Sequence, residues 1–381
     1  MSEDTHDRQP AAGTGRKPRV AIVFGGRSSE HAVSCISAGS VLLAIDRDAY
    51  DVVPIGISRE GRWVLAPDEP AKLAITGGTL PSVEESAGSV VLSGDPTTRG
   101  MVVLEPGKVP RELGGVDVVL PLLHGPYGED GTIQGLLELA GVSYVGSGVF
   151  ASAAAMDKGH MKALFAAAGL PIGPYAVVTP RDWKDDPVAV RETVAGLGYP
   201  VFVKPCRAGS SVGITKVADP ADLDDAIETA RAQDPRVIVE AAIAGREIEC
   251  GVLEGLEGGA PEASVPGEIV VSGHEFYDFE AKYLPDEGTR LDVPADLDHD
   301  LAEEIRAMAC RAFDVLSCEG LARVDFFLDE SGRVLLNELN TMPGFTPSSM
   351  FPLMWKATGL DYPGLVDRLV RTALARPAGL R

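Results

Sequence analysis

The chain has 381 residues, which suits two or three domains better than one. Apolar residues make up 45% and charged residues 24%, ordinary values for a globular protein with a sizeable core. The formal net charge of −22 repels phosphate backbones and anionic lipid, so nucleic acid and membrane surfaces are excluded as natural partners. An anionic small ligand would need locally placed lysines and backbone N–H groups. The five cysteines, Cys35, Cys206, Cys250, Cys310 and Cys318, never stand at C-x-x-C spacing. They fit reduced thiols in the cytoplasm rather than a zinc site or a disulfide frame. Residues 1–18 are polar, lack an apolar h-region and read as a disordered arm. No apolar run is long enough to cross a bilayer.

Order is expected from Arg19. Val20 to Phe24 form a β-branched run closed by Gly25-Gly26, the pattern of a buried parallel strand and its exit turn. Ser28 or Ser29 is expected to cap the helix that follows, with Glu30 in or near its first turn. Val52–Ile57 and Val116–Leu123 read as further strands of an α/β domain over 19–152, with loops and short strands at 64–115. A helix is expected over 157–170, ended by Gly169 and Pro171. Strands at 199–205, 213–217 and 237–240, with an amphipathic helix over 219–233, make a small α+β unit over 153–242. Residues 243–381 carry more strands, a helix near 298–316, a hairpin and a closing helix over 362–376.

The hairpin holds the most informative residues. The runs 321–328 and 333–340 flank a polar turn that contains Gly332. Pairing Leu328 with Arg333 sets Arg323 opposite Glu338 and puts Arg323, Asp325, Glu338 and Asn340 on one face, provided the turn length is even. Two carboxylates and an amide oxygen are hard ligands suited to Mg²⁺. A solvated face with a cross-strand ion pair is the plainer alternative, weakened by the apolar flanks. Lys204 closes a strand that runs into the Gly209–Gly213 loop, where small residues let N–H groups approach phosphate. The loop is not a Walker A motif. His124 lies at a glycine-rich strand exit, where ligands gather in open α/β sheets. It reads either as a ligand contact or as a structural histidine bonded to loop carbonyls. The first turn, Gly25 to His31, lacks G-x-G-x-x-G, which disfavours dinucleotide binding.

In this order along residues 20–374, these motifs resemble the D-alanine–D-alanine ligases of the ATP-grasp superfamily. The resemblance implies a three-domain ATP-grasp fold, α/β and α+β, with an N-terminal Rossmann-like (preATP-grasp) domain and the nucleotide between the other two. It implies two D-alanines and ATP as substrates, two Mg²⁺ or Mn²⁺ ions, and admits a monovalent cation. A cytoplasmic homodimer that makes peptidoglycan precursor is the expected form. Lys158 and Lys204 match the phosphate lysines. Glu240, Ala241 and Ile243 match the adenine hinge, Glu247 the ribose acid, and Asp325, Glu338 and Asn340 the metal ligands. Glu30 matches the acid that holds the first D-alanine ammonium, and His124 falls among the substrate contacts. Arg323 and the Gly344 backbone match the groups that stabilise the tetrahedral intermediate. Ser349 and the Met350 backbone match the contacts to the second D-alanine carboxylate. Ser210 and Ser211 match the glycine-loop serines, Ser210 linking Glu30 to a mobile loop. Residues 275–283 resemble that ω-loop, with Lys282 reaching the γ-phosphate and Tyr283 the loop serine. Related ligases that make D-alanyl-D-lactate lack this Tyr, so Tyr283 favours an amine as second substrate. Ala242 and Cys206 depart from the family's usual residues.

Overall fold

The computed structural model describes residues 16–84, 88–98, 100–209, 212–271 and 289–376. The expected α/β opening is present. β1 (Arg19–Gly25) lies parallel to β2 (Asp51–Ile57) on one side and to a later strand, Val118–Pro121, on the other. β1 is apolar almost throughout because both its faces are covered. The helix α1 (His31–Ala44) connects β1 to β2. It begins one residue after Glu30, which is its N-cap, and no side chain caps it. The expected serine cap is therefore corrected: Ser28 Oγ instead donates to the His124 carbonyl (2.7 Å) and accepts from the Glu30 N–H (3.2 Å).

β3 (Trp63–Leu65) closes one edge of this sheet. The segment expected to be loops and short strands holds a separate three-stranded sheet, β4 (Ser89–Leu92), β5 (Gly100–Leu104) and β6 (Arg111–Gly115). The main sheet resumes with β7 (Val118–Pro121), then α2 (Thr132–Leu139) and β8 (Ser143–Tyr144), in the order β3-β2-β1-β7-β8.

α3 (Val149–Met156) and α4 (Lys158–Ala167) lead to a four-stranded antiparallel sheet. Asp157 caps α4 by accepting from the His160 N–H (3.1 Å). The sheet is built from β9 (Tyr175–Val178), β10 (Val201–Pro205), β11 (Thr215–Val217) and β12 (Val237–Ala241), in the order β11-β10-β12-β9. α5 (Pro180–Asp185), α6 (Pro187–Ala195) and α7 (Leu223–Arg231) accompany it. The helix expected over 219–233 is shorter, because Asp219 and Pro220 first close a tight 3₁₀ turn.

The third sheet is also antiparallel: β13 (Gly245–Leu253), β14 (Glu262–Ala263), β15 (Gly267–Val271), β16 (Thr289–Asp292), β17 (Leu321–Asp329) and β18 (Val334–Asn340). α8 (His299–Val315) buries Ile305, Ala309, Ala312 and Phe313 against it. α9 (Met350–Thr358) and α10 (Tyr362–Ala375) are the last described helices. The inner face of α10, Leu365, Val366, Leu369, Val370 and Ala373, joins one core with Val20, Ile22, Phe24, Val118 and Leu120 of the first sheet.

The expected hairpin register is wrong by one residue at the turn. Leu328 pairs with Val334, not with Arg333. Asp329 and Arg333 enclose an odd three-residue turn in which Gly332 takes φ 84°. Continued unbroken, this register would turn Glu338 away from Asp325. A β-bulge at Asn337 absorbs one residue, so that Asp325 pairs with Glu338 and Arg323 with Asn340. The shared face is recovered by a device that the sequence reading did not contain.

Candidate active site

The second and third sheets meet the exit turns of the first around a cavity of about 520 Å³. Its lining includes Glu30, His124, Lys158, Lys204, Glu240, Ala241, Ile243, Glu247, Arg323, Asp325, Glu338, Asn340 and Gly344. These residues are spread over more than 300 positions of sequence and come from the four- and six-stranded sheets, the segments that follow β1, β7, β12 and β18, and the start of α4.

Three of the lining residues are lysines, Lys158, Lys162 and Lys204. Lys204 ends β10, and its Nζ lies 2.6 Å from Glu240 Oε2 on β12. Lys162 lies 2.8 Å from Glu240 Oε1 and also donates to the Asn337 carbonyl at the bulge (3.0 Å). Burial opposes the charge on Glu240, but the two lysines hold it far below the usual carboxylate range. Burial likewise opposes the charge on Lys204, and Glu240 more than restores it. Lys158, at the start of α4, donates to the Ala208 carbonyl (3.1 Å) and lies 3.4 Å from Glu338 Oε2.

The hairpin face lies beside these lysines. Arg323 grips Asp325 with two bonds, 2.7 and 2.8 Å, and its Nε lies 3.0 Å from Glu249 Oε2. Despite burial, Asp325 and Glu249 hold the guanidinium charged. Asn340 Nδ2 donates to Asp325 Oδ2 (2.9 Å). Asp325, Glu338 and Asn340 thus face the cavity together, with cationic side chains already on both carboxylates. Among the described residues no group of three or more carboxylate, histidine or cysteine side chains is gathered for a metal. Two carboxylates and an amide fit a hard cation that takes its other ligands from phosphate and water, the habit of Mg²⁺.

The cavity is also lined by Glu30, which is 7% exposed. Its carboxylate sits between two glycines: a Cβ on Gly125 would come within 2.7 Å of Glu30 Oε2, and one on Gly209 within 2.8 Å. Side chains at either position would push the carboxylate aside. His124 Nδ1 donates to the Met342 carbonyl (3.0 Å), while its buried Nε2 has no hydrogen-bond partner among the described residues. Burial, against the pull of Glu30, holds this imidazole below the ordinary histidine value and therefore neutral. The structural reading of His124 holds, since it is bonded to a loop carbonyl, and the residue also lines the cavity.

Three residues of the site escaped the sequence reading. Lys162 stands on the stripe Lys158, Met161, Lys162, Phe165, and the burial of Met161 and Phe165 shows that this stripe faces inward. Glu249 shares a strand face with Glu247 by simple alternation. Glu129 follows His124 in the same turn and accepts from the Gly125 N–H (2.6 Å) and the Met342 N–H (3.2 Å).

Two expected residues stand apart from the cavity. Ser349 Oγ is engaged by Thr346, accepting from its N–H (3.1 Å) and lying 2.8 Å from its Oγ1. The Met350 side chain packs with Ile269 and Met354. Ser210, Ser211, Lys282 and Tyr283, with the rest of the expected ω-loop, lie outside the described residues.

Two antiparallel α+β units enclosing a cleft lined with lysines and carboxylates, joined to an open parallel sheet, define an ATP-grasp protein. Residues 19–147 match the family model for the D-ala D-ala ligase N-terminus, and residues 164–371 the model for the D-ala D-ala ligase C-terminus. The chain belongs to the D-alanine–D-alanine ligase family. It is 58% identical to a D-alanine–D-alanine ligase of Streptomyces griseus, covering 96% of this chain and 95% of that one. It is 59% identical to a namesake from Streptomyces coelicolor, with coverage of 96% and 95%. Among solved structures, the VanG D-Ala:D-Ser ligase of Enterococcus faecalis is similar with a TM-score of 0.81 at 36% identity, covering 94% of this chain and all of that one. The D-alanine–D-alanine ligase of Coxiella burnetii gives 0.78 at 33% identity, covering 94% of each chain.

Proposed function

We propose that this chain is an ATP-dependent ligase that joins two D-alanines into D-alanyl-D-alanine through a D-alanyl phosphate, for peptidoglycan precursor synthesis. One observation carries the reading. A single cavity is lined by Lys158, Lys162 and Lys204, by the Glu30 carboxylate and by Arg323. A polyanion suits the lysines and an ammonium the carboxylate.

On this reading Glu30 holds the ammonium of the first D-alanine, whose carboxylate attacks the γ-phosphate of ATP, breaking its bond to the β-phosphate and releasing ADP. Lys158 and Lys204 offset charge on the phosphates, and Ala241, Ile243 and Glu247 seat the nucleoside. Asp325, Glu338 and Asn340 would hold Mg²⁺ or Mn²⁺, in one or two ions, and a bound ion would neutralise phosphate charge. The amine of the second D-alanine then attacks the acyl carbon. Arg323 and the Gly344 N–H stabilise the oxyanion before phosphate departs. Ser349 and the Met350 backbone are assigned to the second carboxylate, Ser210 and Ser211 to the glycine loop, and Lys282 and Tyr283 to a lid that excludes water. Free cysteines and the acidic net charge support a cytoplasmic setting, and the family likeness a homodimer. Among the described residues no helix is long and apolar enough to cross a membrane.

The test is ADP release with ATP and Mg²⁺, supplying D-alanine alone, L-alanine alone, or D-alanine with D-serine or D-lactate, with products identified by mass. D-alanyl-D-alanine from D-alanine alone is the expected product. A mixed dipeptide or depsipeptide as main product would reassign the second substrate, and no ADP under any condition would reject the ligase reading.

A further inference from the structure

The turn that follows β7 does more than line the cavity. Met342 is held at both of its backbone groups by that turn. Its N–H donates to Glu129 Oε1 (3.2 Å), and its carbonyl accepts from His124 Nδ1 (3.0 Å). The two arms lie more than 200 residues from Met342 in sequence, so these are tertiary contacts. The turn is itself braced. The Gly125 N–H closes on Glu129 Oε2 (2.6 Å), Ser28 Oγ holds the His124 carbonyl (2.7 Å), and Gln134 Nε2 holds the Gly128 carbonyl (2.8 Å). After Met342 comes Pro343, which has no N–H and a fixed φ. The next backbone donor is Gly344, at the cavity wall.

We propose that His124 and Glu129 form a positioning clamp on Met342, which sets the Gly344 N–H against Arg323 and so governs amide formation rather than nucleotide binding. The proposal rests on the ligase reading above. The choice of an acid at position 129 supports it. Burial and the neighbouring Glu30 push the Glu129 carboxyl up to about 8, a costly place for a carboxylate. A glutamine would avoid that cost but would turn an NH₂ group toward one of the two N–H donors, so only a carboxyl accepts both.

The experiment compares the wild type with Glu129→Gln, His124→Leu and His124→Asn, whose amide nitrogen can stand in for Nδ1 at the Met342 carbonyl. ADP and dipeptide are both quantified under saturating D-alanine, together with the KM for ATP. A displaced oxyanion donor slows the second step and lets water take the acyl phosphate. Dipeptide turnover is expected to fall about tenfold or more in Glu129→Gln and His124→Leu. Dipeptide per ADP should fall with it, while the KM for ATP stays within about twofold of wild type. His124→Asn should recover most of the loss. Unchanged coupling in Glu129→Gln, or an Asn variant as poor as the Leu variant, overturns the clamp. If the Leu variant fails to fold, as read from its thermal midpoint, the Gln and Asn variants decide. A wild type that releases no ADP with D-alanine overturns the ligase reading and the clamp with it.

Discussion

Glu240 is 6% exposed and carries a charge that burial alone would neutralise. Its two lysine partners make it a source of stability with a defined pH window. The folded-state pKa lies below the ordinary value of 4.5, so the unfolded chain binds the proton more readily. The contribution is therefore complete above about pH 4.5 and is lost as pH falls toward the folded value. Glu240→Gln leaves two lysines uncompensated and is expected to cost about 3–5 kcal/mol at neutral pH. In denaturant titrations the gap to wild type should be flat above about pH 4.5 and should narrow below it. A gap that stays constant down to pH 3 would contradict the assignment. The sequence located Glu240, Lys158 and Lys204 through motif order, but not what Glu240 touches. Lys162 went unread because a lysine on a helix passes for a solvated residue until its apolar neighbours are recognised as the inward face.

At the level of elements, the strands and helices were legible because β-branched runs, Gly and Pro stops and Asp caps mark them, as Asp298 marks α8. The register was not. The odd turn after Asp329 and the bulge at Asn337 each shift the parity of the hairpin, and together they cancel. Alternation records neither, since the bulge residue is an ordinary asparagine between Leu336 and Glu338. The bulge also directs the Asn337 carbonyl to Lys162. Lys162→Met should therefore do more than weaken the Glu240 pair. With one partner gone, Lys204 is held more firmly by Glu240 and is less available to phosphate. We expect a loss of about 3–5 kcal/mol in denaturant stability, typical of breaking a buried pair, together with a raised KM for ATP. A variant with wild-type midpoint and wild-type KM would remove Lys162 from the site.

Across the whole molecule, the sequence showed three blocks and their order but not how the last elements pack. α10 lies in the first sheet's core, Tyr50 Oη donates to Asp367 Oδ1 (2.7 Å), and Arg376 lies 3.5 and 3.1 Å from Glu254 and Glu319. The periodicity of α10 announces an apolar face without naming what it covers. A chain ended after Thr358 would leave Val20, Ile22, Val118 and Leu120 without the inner face of α10. Such a truncation should collect in the insoluble fraction or bind a hydrophobic dye. A soluble, non-binding fragment would show that the first sheet closes on its own.

The same packing sets the order in which the protein can be completed during synthesis. β1 is made well before a helix that shares its core, because Val20, Ile22 and Phe24 lie in one cluster with Leu365, Val366 and Leu369 of α10. On a ribosome adding roughly 5–20 residues per second, β1 waits for this cover until the residues between it and α10 have been added. The face of the first sheet that carries Val20, Ile22 and Phe24 therefore needs protection until α10 has emerged.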